Sequence, residues 1–296
     1  MKSTRLQIAA CACVFSFVAT AAHAREFPAT RPYKPVVYQH VEETDPPQRI
    51  YVVAIDLTNR DAKIRVAPGG PDPDGEGKWQ TILQRPTEIA EREGFEVTVN
   101  GDFFSVTRAP DAPKEQKGYV IDMWASVTGA AMTDGKAWSQ VEGGKPRPCL
   151  IIDGQGQPKI SRVAAAPDDA KQVISGSDVV VEGGKDVAPA TKGFAMTRHP
   201  RTAVGIADGG KRLVLVVVDG RKKDASGMTL PELAQLMLKL DCESALNLDG
   251  GGSSVIVLED PKTGHQRILN GISDGRERPV ANVLGVDVRP EKKTPQ

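Results

Sequence analysis

Ala245-Leu246-Asn247-Leu248-Asp249-Gly250-Gly251-Gly252-Ser253-Ser254 reads as a short strand that stops abruptly. Residues 245–248 have the composition to pair in a sheet. Asp249 falls at the strand end, and three glycines then let the backbone turn and come close to whatever lies beside it. Ser253 and Ser254 open the next apolar run, Val255 to Leu258. A carboxylate at a strand end, backed by bare amides and hydroxyls, suits a polar ligand. A tight hairpin with a turn-capping Asp has the same pattern, and on these ten residues alone that plainer reading leads.

Immediately upstream, Thr229-Leu230-Pro231-Glu232 has the spacing of a capping box. Leu233, Leu236, Met237 and Leu240 then form an apolar stripe at helical spacing, suited to packing on a sheet. Before that helix, Arg212 to Val218 is a continuous apolar run, the pattern of a strand buried on both faces, and it ends at Asp219-Gly220-Arg221. A third strand, Phe95 to Val99, runs into Asn100-Gly101-Asp102-Phe103-Phe104 and follows a short helix bounded by Pro86-Thr87 and Gly94. Phe103 and Phe104 read as core, with a sugar-stacking wall as the alternative. Arg49 to Leu57 reads as a strand with Ala62 to Val66 as its hairpin partner. Residues 161–178 give no firm element. Ile268 to Gly271 and Val280 to Val288 close the chain as strands. The expected fold class is α+β (mixed α/β): a β-rich single domain on one principal mixed sheet with few packing helices.

The chain has 296 residues. Lys2 and Arg5, an uncharged apolar run from Leu6 to Ala22, and the small-x-small site Ala22-His23-Ala24 form a secretory signal pattern. The expected organisation is a signal peptide at 1–24, an N-terminal extension at 25–47, a domain at 48–289 and a charged tail at 290–296. A secreted or periplasmic location follows, with no stable membrane anchor, because the apolar run is short for a bilayer span. Residues 1–24 carry two basic and no acidic residues, so the remainder has a net charge of −2 against 0 for the whole chain. Nothing in that balance favours nucleic acid as a partner. Cys11 and Cys13 leave with the signal. Cys149 and Cys242 remain, either as one disulfide or as two buried thiols.

Four segments stand in order: Asn100-Gly101-Asp102-Phe103-Phe104, Arg201-Thr202-Ala203-Val204-Gly205, Asp219-Gly220-Arg221 with the capping-box helix, and Asn247 to Ser254. With Arg278-Pro279-Val280-Ala281-Asn282 near the end, they resemble the phosphodiester glycosidase family, over most of the mature chain. The resemblance implies a hydrolase that breaks the C1–O bond of a sugar joined through its anomeric carbon to a phosphodiester. Its partner is then a phosphorylated glycan or sugar-1-phosphodiester of the envelope or extracellular space.

The residue types suit that reaction. Cleavage at C1 passes through an oxocarbenium-like state, which a carboxylate stabilises or supplies with water. Asp249 is the first choice for it and Asp219 the second. A phosphate leaving group asks for a cationic clamp, and the planar guanidinium fork fits it best. Arg201 is the first choice there, with Arg221 and Arg278 behind it. Asn100 and Asn247 would bind sugar hydroxyls or hold water, Ser253 would add a hydroxyl, and the amides of Gly250 and Gly251 would form an anion nest. Glu232 is most simply a cap, with a reserve role as acid. No cofactor is required, although Asp219, Asn247 and Asp249 offer oxygen ligands of the kind Ca²⁺ or Mg²⁺ takes. Two other classes stay open: a non-catalytic module that binds phosphorylated polysaccharide, and a phosphodiesterase that attacks phosphorus.

Overall fold

Alternation along the central strands determines the layering. In the computed structural model, which describes residues 24–75, 77–110, 118–191 and 193–289, strand Arg212–Val218 sends Leu213, Leu215 and Val217 to one side and Val214, Val216 and Val218 to the other. The signal-peptide reading, apart from Ala24, and the C-terminal tail reading lie outside the described residues.

Arg212–Val218 pairs with Pro47–Asp56 on one side and Arg201–Ala207 on the other. Cys242–Asn247 lies beyond Arg201–Ala207, with Asp178–Glu182 and Lys185–Asp186 outside it. Val36–Thr44 lies beyond Pro47–Asp56 and carries Ala24–Glu26 and Thr30–Tyr33, which completes a nine-stranded sheet. The 25–47 segment is thus built into this sheet.

A second sheet of five strands has the order Gln266–Ile268, Ile256–Glu259, Val97–Asn100, Asn282–Asp287, Lys63–Pro68. Its inner face, with Val97, Val99, Ile256 and Leu284, meets Tyr51, Val53, Leu215, Val204 and Leu246 of the large sheet in the main core. The opposite face of the large sheet packs under helix α2 (Leu230–Lys239) through Leu230, Leu233 and Met237. Helix α1 (Pro86–Glu93) covers the outer face of the second sheet with Ile89 and Ala90. The layers run helix, sheet, sheet, helix, which is why Arg212–Val218 is apolar on both faces. Each fully buried Val, Leu or Ile there contributes about 1.5–3 kcal/mol.

The expected single mixed sheet is not what forms. Among the described residues there are four sheets, of nine, five, five and three strands, and every strand pairing is antiparallel. The other five-stranded sheet centres on Ala170–Ser175, inside the stretch to which no element was assigned. The three-stranded sheet holds Thr81–Ile82, Trp124–Val127 and Phe104–Thr107. The expected hairpin between Arg49–Leu57 and Ala62–Val66 does not form either, because Lys63–Pro68 crosses to pair with Asn282–Asp287 in the second sheet. Cys149 and Cys242 are buried, unpaired thiols on strands of different sheets. No helix among the described residues is long and apolar enough to cross a membrane.

Candidate functional site

The Asp249 turn is not a hairpin. Cys242–Asn247 belongs to the large sheet and Ile256–Glu259 to the second sheet, so residues 248–255 carry the chain from one layer to the other. Asn100, at the end of its own strand, fastens that crossing. Its Nδ2 donates to the Asp249 carbonyl at 2.7 Å, and its Oδ1 accepts from Thr202 Oγ1 at 2.7 Å and from the Val255 amide at 3.2 Å. Asn100 is fully buried. It therefore joins three segments and presents no polar atom to open space.

The three glycines are required by what approaches them. Gly251 has φ of +62°, and a Cβ there would lie 2.9 Å from Arg221 Nη2. A Cβ on Gly252 would overlap Arg278 Nη2 and Asp274 Oδ2. Two guanidinium groups thus rest on the bare turn that follows Asp249.

Asp249 is half-buried, and its Oδ1 accepts the Gly250 amide at 2.8 Å. Burial pushes its carboxyl up to about 6, while hydrogen bonds from Ser253 and Gly250 and the charges of Arg278 and Arg221 pull it back. Asp102 lies close enough to feel the Asp249 charge. It is buried, with Oδ1 accepting the Ser175 amide at 2.9 Å and Oδ2 accepting Asn282 Nδ2 at 2.6 Å, and desolvation lifts it to about 7. From the sequence Asp102 is a catalytic candidate that is set behind Asp249 and Asp219. Its partners Ser175 and Asn282 come from distant strands, so its burial is not legible from the local pattern.

The cations divide into two groups. Arg201 is fully buried, donating from Nε to Met228 O at 2.8 Å and from Nη2 to Phe194 O at 2.8 Å and Thr197 O at 2.9 Å. Its guanidinium lies under the Phe194 ring at 4.3 Å, and Nη1 has no hydrogen-bond partner. Desolvation lowers it to about 10. Arg201 thus fixes the 194–201 loop from beneath. Arg221, by contrast, is exposed and approaches His199 Nδ1 at 3.5 Å. Arg278 reaches Ser253 Oγ at 3.5 Å, pairs with Asp274 at 2.5 Å and lies over the Tyr119 ring at 4.5 Å.

Asp219 is buried, and both its oxygens accept the Gly271 amide at 3.0 Å, with Asn270 Nδ2 at 3.3 Å and Tyr51 OH at 3.5 Å. Burial raises its carboxyl, while Asn270, Gly271, Lys222 and Arg49 lower it. It pins the segment leading to Ser273, Asp274 and Arg278. Asn247 donates to Ser177 Oγ and to Leu248 O, both at 2.9 Å, and its Oδ1 has no partner. Glu232 is not brought to this turn. It closes the capping box of α2 with Thr229 and pairs with Arg198. Among the described residues no three His, Cys, Asp or Glu side chains cluster with metal-ligand geometry.

One wall of the site is aromatic. Phe194, 42% exposed, stacks on His199 with centroids 5.8 Å apart and meets Phe103 edge-on at 5.9 Å. Phe104 turns the other way, against Tyr119. Phe194 lies in a glycine-flanked loop with no periodicity, so the sequence alone does not single it out.

A family model described as phosphodiester glycosidase matches residues 93–287, well over half of the chain and all of these site residues. The chain belongs to the phosphodiester glycosidase family. N-acetylglucosamine-1-phosphodiester alpha-N-acetylglucosaminidase of Bos taurus is 50% identical over 65 residues, 22% of this chain and 12% of that protein. SPbeta prophage-derived uncharacterized protein YomE of Bacillus subtilis (strain 168) is 40% identical over 89 residues, 30% of this chain and 13% of that protein. The aligned segments span about an eighth of these relatives. The zebrafish N-acetylglucosamine-1-phosphodiester alpha-N-acetylglucosaminidase catalytic domain, auto-inhibited by its pro-peptide, superposes with a TM-score of 0.60 at 20% identity, over 90% of this chain and 89% of that one. A putative exported protein from Burkholderia pseudomallei K96243 gives a TM-score of 0.60 at 17% identity, over 81% and 74%. These likenesses establish the shared fold.

Proposed function

We propose that the protein is an exported hydrolase that cleaves the C1–O bond of sugar-1-phosphodiesters, such as an N-acetylglucosamine α-1-phosphodiester, in envelope or extracellular glycans. The observation that carries this reading is the half-buried Asp249 carboxylate beside two guanidinium groups that rest on Gly251 and Gly252. A carboxylate stabilises positive charge developing at C1, and adjacent guanidinium groups hold the departing phosphate.

Water adds to C1, the phosphate oxygen leaves with the bonding pair, and the products are a free sugar and a phosphomonoester. Asp249 is the carboxylate at the ring. Arg221 and Arg278 form the clamp, in place of Arg201, which is fully buried with Nε and Nη2 held by carbonyls. The amides of Gly250 and Gly251 and the Ser253 hydroxyl complete the anion side. Asp219, Asn100 and Arg201 are positioning residues for the loops that carry these groups. Phe194 and Phe103 offer a face on which a sugar ring stacks. The names of the bovine and zebrafish relatives support the choice of N-acetylglucosamine as first substrate. Residues 1–24 would be the export signal and 48–289 the catalytic domain.

The test is release of N-acetylglucosamine from UDP-N-acetylglucosamine and from a methyl α-1-phosphodiester, compared with Asp249→Asn and Arg278→Ala. Turnover by the parent and its loss in Asp249→Asn supports the reading. Binding of phosphorylated glycan without turnover of any sugar-1-phosphodiester would make the protein a binding module instead.

A further inference from the structure

Beside the candidate site, a groove of about 800 Å³ opens between the three-stranded sheet and the sheet built on Ala170–Ser175. Among the described residues its lining includes Lys78, Lys145 and Arg147 and no acidic side chain. The same lining carries hydroxyl groups, among them those of Ser126, Thr128 and Ser177. That volume lies within the range of pockets that hold a whole ligand, yet the lining is polar and cationic where drug-type pockets are mainly apolar.

The groove leads directly to the catalytic turn. Ser177 Oγ accepts a hydrogen bond from Asn247 Nδ2 at 2.9 Å, and Ser177 follows Ser175, whose amide binds Asp102. Thr128 donates through both its amide and its hydroxyl to Phe103 O, and Phe103 meets Phe194 of the aromatic wall. One end of the groove is therefore within two residues of the Asp102–Asp249 pair and of the stacking wall. None of its cations is needed by the clamp assigned to Arg221 and Arg278.

We propose that this groove is a subsite for the part of the substrate beyond the cleaved linkage, and that it selects an anionic glycan. The sugar to be released sits at the Asp249 turn. The remaining chain runs along the groove, its hydroxyls against the Ser and Thr side chains and a second anionic group between Lys145 and Arg147. Cations and hydroxyls sharing one lining suit a chain that alternates charge with polar sugar, such as sugars joined through successive phosphodiesters. Carboxylated sugars share the same anionic chemistry. The proposal rests on the hydrolytic reading for its direction along the chain.

The test uses a synthetic dimer of N-acetylglucosamine-1-phosphate units, a neutral chitobiose of equal length, and a disaccharide bearing a uronic acid. Binding is measured by calorimetry on Asp249→Asn, which keeps the dimer intact, with its fold checked by circular dichroism. The phosphate dimer should bind more tightly than chitobiose, and Lys145→Ala/Arg147→Ala should weaken dimer binding at least about tenfold and leave chitobiose binding unchanged, the preference that remains belonging to Arg221 and Arg278. Uronic-acid binding as tight as that of the dimer would assign the groove to carboxylated chains, while weaker binding assigns it to phosphate. Equal affinity for the neutral and anionic probes would overturn the proposal.

Turnover separates this claim from the hydrolytic one. In the otherwise unaltered chain, Lys145→Ala/Arg147→Ala should raise KM for the dimer about tenfold and leave kcat/KM for the methyl phosphodiester unchanged. An equal loss on both substrates would overturn the groove and leave the hydrolase. Groove-dependent binding with no turnover would sink the hydrolase and leave the groove.

Discussion

At the residue scale, the site depends on how few side chains face the ligand and how many hold the ones that do. Asp249→Asn should lower kcat by about 10²–10⁴-fold with no loss of melting temperature, read by steady-state kinetics and thermal melts. Because burial raises the Asp249 carboxyl to about 6 and the proposed mechanism uses its ionised form, activity should fall as pH drops through that value. The charge of Arg278 lowers that carboxyl, so Arg278→Ala should move the acid limb of the pH–rate profile to higher pH while raising KM. Asn100→Ala should behave otherwise. It leaves the Asp249 carbonyl, the Thr202 hydroxyl and the Val255 amide without a partner, and chemical denaturation should show a loss of about 3 kcal/mol or more.

At the element scale, the glycine turn and the helix cap make opposite predictions. Gly252→Ala should displace Arg278, whose guanidinium occupies the space of a Cβ, and reduce kcat/KM more than stability. Glu232→Ala opens the capping box of α2 and should cost about 1 kcal/mol with kcat/KM unaltered, since Glu232 stands apart from the Asp249 turn. The elements themselves were legible. The box at Thr229 and Glu232, the α1 limits at Pro86 and Gly94, and the two-sided run Arg212–Val218 all declare themselves through local chemistry. Partnership was not legible, because Lys63–Pro68 and Ile256–Glu259 both leave a neighbour in sequence to join the second sheet. The strand-end polar clusters marked where the site lies. They did not reveal that Asn100 and Arg201 point into the protein, since a buried Asn or Arg has the same sequence pattern as an exposed one.

At the scale of the whole molecule, two antiparallel sheets face each other and the chain crosses between them at the turn that carries the Asp249 carboxylate. The interior holds several desolvated carboxylates, with Asp102 and Glu96 each raised to about 7. A folded-state value above the unfolded one means the native chain binds more protons between about pH 4 and 7, so stability should decline as pH rises through that window. His40 and His199, lowered by burial, act in the opposite sense but are fewer. Thermal melts should therefore give a higher midpoint at pH 5 than at pH 8; the reverse order would contradict the burial assigned to these groups. The central claim concerns which bond breaks, and hydrolysis of an N-acetylglucosamine α-1-phosphodiester in ¹⁸O-water tests it most directly. Label in the released sugar, absent with Asp249→Asn, is the predicted result; label in the phosphate would make the protein a phosphodiesterase and contradict the role given to Asp249.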